Sequence, residues 1–164
     1  MTIKLGYLYH IKDEFFEVVK DKYLMRNHEN GHSRPNYFVL KDGDYYWAIP
    51  LSSKSDKYRK ILMGKRKQLC KTIIIVNINN IDSIILLQNA FPITEKYINN
   101  VHMFNGKKSS FNKTTEKEIL KNFRKMLILK EKGINLFYPN VDNIKLMLNK
   151  ELVHWLILLF VINY

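Results

Sequence analysis

SRPNYFVLKDGDYYWAIPLSSKSDKYRK, residues 33–60, carries two apolar runs on either side of Asp42-Gly43, and its reading decides the fold. Asp-Gly between alternating hydrophobics is a strong two-residue hairpin signal, making cross-strand partners of residues whose numbers sum to 85. A four-residue turn is the alternative. In the two-residue register Phe38, Leu40, Tyr45, Trp47 and Ile49 share one face, and Tyr37, Val39, Tyr46 and Ala48 the other. Pro35 then opposes Pro50 at a nominally hydrogen-bonded position where neither has an N–H, so the ladder ends and the strands splay. The residues released are His32, Ser33 and Arg34 on one side and Leu51, Ser52, Ser53 and Lys54 on the other. Ser53 comes opposite His32 and diagonal to Arg34.

A guanidinium, an imidazole, hydroxyls and an ammonium around one space suit a phosphate. Arg34 is expected to grip it bidentately, Ser52 and Ser53 to donate to its non-bridging oxygens, and Lys54 or Lys57 to neutralise charge or protonate a leaving oxygen. His32 is a further candidate acid or base. No carboxylate cluster for Mg²⁺ accompanies them, so the pattern suits RNA cleavage by the substrate's own 2′-hydroxyl, with no metal and no cofactor. The plain alternative is that Ser-Ser-Lys-Ser caps a helix and Arg34 lies on the surface. A basic track leads away from the same strand end, through Lys54, Lys57, Arg59, Lys60, Lys65, Arg66, Lys67 and Lys71 against a lone Asp56.

Outward from this hairpin, residues 2–11 alternate as a strand, and Asp13 caps a helix to about Arg26 with Phe15, Phe16, Val18, Val19 and Tyr23 inside. Asn27 to Ser33 reads as a loop. Downstream, a basic run from Ser55 to Lys71 precedes TIIIVNINN and DSIILLQNAF, two nearly continuous apolar strands around Asn79-Asn80 that look central to a sheet. A polar loop, Asn99 to Lys113, leads to a capping box at Thr115 to Glu118 and an amphipathic helix that Gly133 stops. Its outer face presents Lys117, Lys121, Arg124 and Lys125 as a second RNA-contacting surface. Leu136 to Tyr138 is a candidate return to the sheet, and a last helix starts near Asn140 to Asp142.

At 164 residues and 46% hydrophobic content the chain supports one core, so residues 1–164 are read as a single domain. Twenty-seven Lys and Arg against 15 Asp and Glu give +12, enough to draw a polyanion by counterion release. Ten tyrosines offer stacking faces for bases. The lone Cys70 makes no internal disulfide, and the opening MTIKLGYLYH lacks a secretory pattern, so a cytoplasmic location is expected. The apolar end, residues 152–164, is too short for a spanning helix, which takes about 20 residues, so no stable membrane association is expected.

His28-Glu29-Asn30-Gly31-His32 spells the H-E-x-x-H of zinc peptidases, but Asn30-Gly31 and the following Ser33-Arg34-Pro35 oppose the helix that such ligands need.

The Leu-Tyr-His-Ile start, the Arg-Pro-Asn-Tyr-Phe-Val-Leu strand, Tyr-Tyr-Trp-Ala-Ile-Pro-Leu-Ser-Ser-Lys and the later Gly133-Ile-Asn-Leu resemble the toxins of type III toxin–antitoxin and abortive-infection systems. This is the ToxN, AbiQ and CptN group, above all its CptN-like members; the resemblance covers roughly residues 3–150. It implies an α+β fold, a strongly twisted, barrel-like antiparallel sheet flanked by helices. It further implies a metal-independent endoribonuclease acting on mRNA, with a role in phage defence or plasmid maintenance. Such a toxin is held in a closed protein–RNA assembly by a repeat-derived pseudoknot antitoxin RNA that it processes. Ser52 and Ser53 match the family's Thr/Ser-Ser pair and Arg34 its basic residue. The family's lysine falls on Ser55, leaving Lys54 or Lys57 to substitute. Its N-terminal tyrosine falls on Phe15, leaving Tyr9 or Tyr7 as replacements.

Overall fold

The computed structural model describes every residue except 1, 30, 65–68, 79–80 and 163–164, and for 154–162 it describes the backbone alone. In chain order, β1 (Leu8–Ile11) precedes α1 (Asp13–Val19), two short strands β2 (His28–Glu29) and β3 (His32–Ser33), and the hairpin β4 (Asn36–Asp42) and β5 (Tyr45–Ser52). Next come α2 (Ser55–Met63), β6 (Ile73–Ile78), β7 (Ile81–Leu86), β8 (Phe91–Thr94) and β9 (Ile98–Val101). A small pair, β10 (Met103–Phe104) and β11 (Lys107–Lys108), leads to α3 (Lys113–Glu131) and α4 (Val141–Ile162). Seven strands form one antiparallel sheet in the order β6-β7-β5-β4-β1-β9, with β8 also against β5. The fold class is α+β. Among the described pairings the sheet's path has two ends, β6 and β9.

The central hairpin forms in a different register from the one its turn residues suggest. Asp42 faces Tyr45 and Leu40 faces Trp47, so the two-residue turn is Gly43-Asp44. Gly43 has φ +58°, a positive angle at the first central position only, as a type II′ turn requires. The register then shifts again beyond an irregularity between Phe38 and Leu40, so that Tyr37 faces Ile49 and Pro50 faces Asn36 rather than Pro35. Hydrophobic patterning could not choose between these registers because both sheet faces are buried. Tyr37, Val39, Trp47 and Ile49 join one core cluster, while Phe38, Tyr46 and Ala48 join another.

Nor does β5 stop at Pro50. The Leu51 N–H still donates to Pro35 O (3.1 Å), and Leu51 and Ser52 change partners to pair with Ile85 and Ile84 of β7. Earlier on the same edge, residues 45–48 pair with β8. DSIILLQNAF, expected as one strand, is therefore two, separated by a 3-10 turn at Leu87–Asn89. Polar groups hold that turn inside: Thr72 Oγ1 donates to Gln88 Oε1 (3.0 Å), and the Tyr138 N–H donates to the Gln88 carbonyl (2.7 Å). β6 lies at the sheet's end, not its centre. The expected polar loops at 27–33 and 99–113 contain the small hairpins β2–β3 and β10–β11, and residues 99–101 lie within β9.

Helices cover both faces. On one, Ile119, Phe123 and Met126 of α3 pack at helical spacing beside Trp47, whose ring stacks on Phe137 at 5.5 Å. Phe137 lies outside any strand. The α3 N-cap is Asn112, whose side chain accepts from the Thr115 N–H (2.9 Å), placing the start upstream of the expected box. At the other end Gly133 adopts φ +83° while the Ile134 N–H reaches Leu129 O (2.9 Å), a Schellman closure. On the opposite face, Phe15 and Val19 of α1 meet Ile144 and Leu148 of α4.

The first helix ends at Val19, with Lys20 as its left-handed cap, rather than at Arg26. Asp21 accepts from the Tyr23 N–H (2.7 Å) and the Asn140 N–H (2.8 Å), a side-chain-to-backbone pairing that competes with further helix and leaves Tyr23 exposed. α4 runs on into the apolar end, and among the described residues no helix is long and apolar enough to cross a membrane.

Candidate functional site

The end of β5, the β2–β3 hairpin and the start of β4 wall a cavity of about 500 Å³, within the range of small-ligand sites. His32, Arg34, Ser52 and Ser53 all line it. Leu8, Pro35, Leu51, Ile78, Ile81 and Phe104 give it an apolar bed, and Ser33, Ser83 and His102 add polar groups. The corrected register still gathers the expected residues because β5 continues past its proline, carrying the serines between the β4 entry and β7.

Arg34 is 9% exposed, and its guanidinium is engaged within the fold. Nε donates to Arg26 O (3.0 Å), Nη1 to Leu51 O (2.5 Å) and Nη2 to Glu29 Oε2 (3.0 Å). The bidentate face expected for a phosphate is turned to Glu29 and two carbonyls. Glu29 Oε1 in turn meets Lys54 Nζ at 2.6 Å, so one carboxylate is held between two cations. The hydrogen bond from Lys54, joined by Arg34 against a smaller opposing effect of burial, holds Glu29 below the usual carboxylate range.

Ser52 is buried and its Oγ accepts from the Lys54 N–H (3.3 Å), whereas the Ser53 side chain is exposed at the cavity. Of the two candidate lysines, Lys54 faces Glu29; Lys57 lies over the Tyr58 ring at 5.6 Å. Nothing in the sequence marks Glu29 as the partner of Arg34 and Lys54, since the one pattern it belongs to there is H-E-x-x-H. In the structure that stretch is a hairpin, with His28 opposite Ser33, Glu29 opposite His32, and His28 Nε2 2.7 Å from Asp13.

A second polar group in the wall had no sequence signal at all. Ser33 Oγ lies 2.7 Å from His10 Nδ1, and His10 Nε2 lies 2.9 Å from His102 Nδ1. Residues 10, 33 and 102 meet because β1 lies between β4, which Ser33 precedes, and β9, after which the chain turns back at His102. The His102 N–H donates to Leu8 O (2.7 Å), and its carbonyl accepts from Ser109. Both imidazoles titrate below the ordinary 6.5: His10 through burial and then the neighbouring His102, with Ser33 opposing, and His102 through burial.

That asymmetry predicts an acid sensitivity. The unfolded chain binds more protons than the folded one here, so the contribution to stability is fully present above about pH 6.5 and is lost as pH falls through the depressed folded values. The melting temperature should therefore drop between pH 7.5 and 5.0, and drop less in a His10→Asn/His102→Asn double variant. Equal slopes in both proteins would remove the pair from the account.

The expected RNA surfaces are placed unevenly. Tyr9 is in the core, 3% exposed, with its hydroxyl tied to the N–H (2.9 Å) and carbonyl (3.1 Å) of Lys4, so it offers no face to a base. Lys60 is exposed, Arg59 pairs with Asp82, and Lys65, Arg66 and Lys67 lie outside the described residues. Lys117, Lys121, Arg124 and Lys125 are exposed together on the outer face of α3.

The fold and site thus define an α+β protein with a cavity lined by hydroxyls, imidazoles and the Arg34–Glu29 ion pair, which Lys54 joins from beside it. No protein-family model matches the chain, and no curated protein does. Among solved structures it is similar to AbiQ, described as a lactococcal anti-phage endoribonuclease belonging to the type III toxin–antitoxin system. The identity is 18% and the TM-score 0.48, over 81% of this chain and 78% of that one.

Proposed function

We propose that the chain is a metal-independent endoribonuclease toxin of a type III toxin–antitoxin system. The observation that carries this reading is the convergence of Ser52, Ser53 and His32 with a buried Arg34 at one cavity, with Lys54 held beside it by the lining carboxylate of Glu29. The substrate's 2′-oxygen attacks the adjacent phosphorus, the P–O5′ bond breaks, and a 2′,3′-cyclic phosphate and a 5′-hydroxyl remain. Ser53 donates to a non-bridging oxygen, and the Lys54 ammonium offsets the charge that develops and protonates the departing 5′-oxygen. Arg34 keeps the strand end in place and balances Glu29. The substrates are mRNA and a repeat-derived pseudoknot RNA, the latter remaining bound as the antitoxin; phage defence or plasmid maintenance follows from release of the toxin.

The exposed α3 face and Lys60 hold the RNA backbone. If about five phosphates of a single strand are contacted, affinity falls about a hundredfold between roughly 50 and 200 mM salt. A nitrocellulose-filter titration across that range checks this, and a flat response would leave the basic face as solvated surface. The decisive experiment incubates the purified protein with total RNA in EDTA and maps the ends. Cyclic-phosphate and 5′-hydroxyl ends are expected; intact RNA that is nevertheless bound would favour a non-catalytic RNA- or DNA-binding module.

A further inference from the structure

The serines of the cavity and Lys54 beside it supply donors and positive charge but no group suited to take the proton from the attacking hydroxyl, and His32, exposed on β3, has no hydrogen bond among the described residues to orient its ring. Lys54 is a cation held by Glu29. His10 and His102 are differently arranged. Their mutual contact uses one nitrogen of His102, Nδ1, and Nε2 of the same ring has no hydrogen-bond partner among the described residues. His102 itself lines the cavity with Ser33, beside the Leu8, Leu51 and Phe104 side chains that could bed a base.

We propose that His102 is the general base of this cavity, with His10 and Ser33 as the residues that position it; this rests on the ribonuclease reading above. The relay has two directions. When His10 Nδ1–H donates to Ser33 Oγ, His10 Nε2 is bare and accepts from His102 Nδ1–H, which leaves His102 Nε2 bare and able to receive a proton. When Ser33 donates to His10 instead, the order reverses and His102 Nε2 carries hydrogen. The first direction is the competent one. In the step itself, the 2′-hydroxyl proton passes to His102 Nε2 as the 2′-oxygen–phosphorus bond forms, and the P–O5′ electron pair leaves with the 5′-oxygen, which takes a proton from Lys54. His102 then bears the positive charge, which its hydrogen bond to the bare His10 nitrogen stabilises; it gives its proton to water, and Lys54 regains one from water. Burial lowers the titration of both rings and so favours the neutral form from which a base must start.

The test uses the full-length protein, a mixed-sequence RNA pool with EDTA present, and kinetics with end mapping. His102→Ala should lower kcat by roughly 10²–10⁴-fold with little change in KM, as loss of a general base does, and added imidazole should restore part of the rate. His10→Ala should lower kcat at constant KM, with His10→Asn, whose amide can still reach toward His102, recovering part of the loss. His102→Gln guards against a folding artefact. If both His102 variants lose rate only in proportion to lost folded protein or lost RNA binding, or if they cleave within about threefold of the parent, His102 is not the base. In that second case the parent still yields cyclic-phosphate ends, so the ribonuclease reading survives. A parent protein that leaves RNA uncut overturns both.

Discussion

Replacing Ser53 with alanine is expected to lower RNA cleavage by roughly 10²–10³-fold while leaving the melting temperature within about a degree, the loss typical of one preorganised donor to a developing oxyanion. The two halves of that expectation have separate causes. The Ser53 side chain is exposed at the cavity, so its removal exposes no unsatisfied partner and leaves no void. Its backbone carbonyl, which accepts from the Ser55 N–H at 2.8 Å as the chain enters α2, is untouched by the substitution. Ser52 gives the contrast, because it is 3% exposed and its Oγ receives the Lys54 N–H, so Ser52→Ala should disturb the position of Lys54 as well as the phosphate contact. Cleavage assays on the two variants, paired with thermal melts, separate the roles. A Ser53→Ala protein that still arrests growth and cuts RNA at the parent rate would show that the phosphate binds elsewhere in the cavity.

The second large effect is expected at Arg34, and it is expected in stability before activity. Alanine there removes three charge-assisted hydrogen bonds, leaves the buried Leu51 carbonyl and the part-buried Arg26 carbonyl without that donor, and frees Glu29 to pair with Lys54 alone. A loss of about 2–4 kcal/mol follows, which for a chain of this size lowers the melting temperature by roughly 5–15 °C. Lysine should recover less than half of it, because an ammonium cannot reach a carboxylate and two carbonyls in the planar fork that a guanidinium offers. Thermal unfolding of Arg34→Ala and Arg34→Lys checks both statements. An Arg34→Ala protein that melts with the parent but no longer binds RNA would return the guanidinium to the direct phosphate contact expected from the sequence.

Arg34 also illustrates how far the candidate site could be read in advance. Its proximity to Ser52 and Ser53 was legible, since any hairpin across residues 35–50 brings these ends together. Its occupation was not, because Glu29 reaches it from a two-residue strand within a segment that reads as loop. The His10, Ser33 and His102 contact was further out of reach. No periodicity joins residues so far apart, and only the placement of β1 between β4 and β9 creates it. Tyr9 fails for the opposite reason: a tyrosine on an alternating strand reads equally well as a stacking face or as core, and burial on both sides of the sheet made it core.

By itself the sequence determined what local physics determines. Apolar spacing and a C′ glycine set α3 and its end, Pro139 and Asn140 set the start of α4, Asp42-Gly43-Asp44 set a hairpin at the right place, and the excess of Lys and Arg set a surface suited to a polyanion. Tertiary structure decided what local physics leaves degenerate. When both faces of a strand pair are apolar, a shift of register exchanges one buried face for another at little cost, so the turn position, the irregularity near Val39 and the partner change at Pro50 are chosen by the helices and by β7 and β8 packing around them. The same packing carries Ser52 and Ser53 beyond the proline to the cavity, turns Arg34 inward to Glu29, and brings two histidines within 2.9 Å of one another.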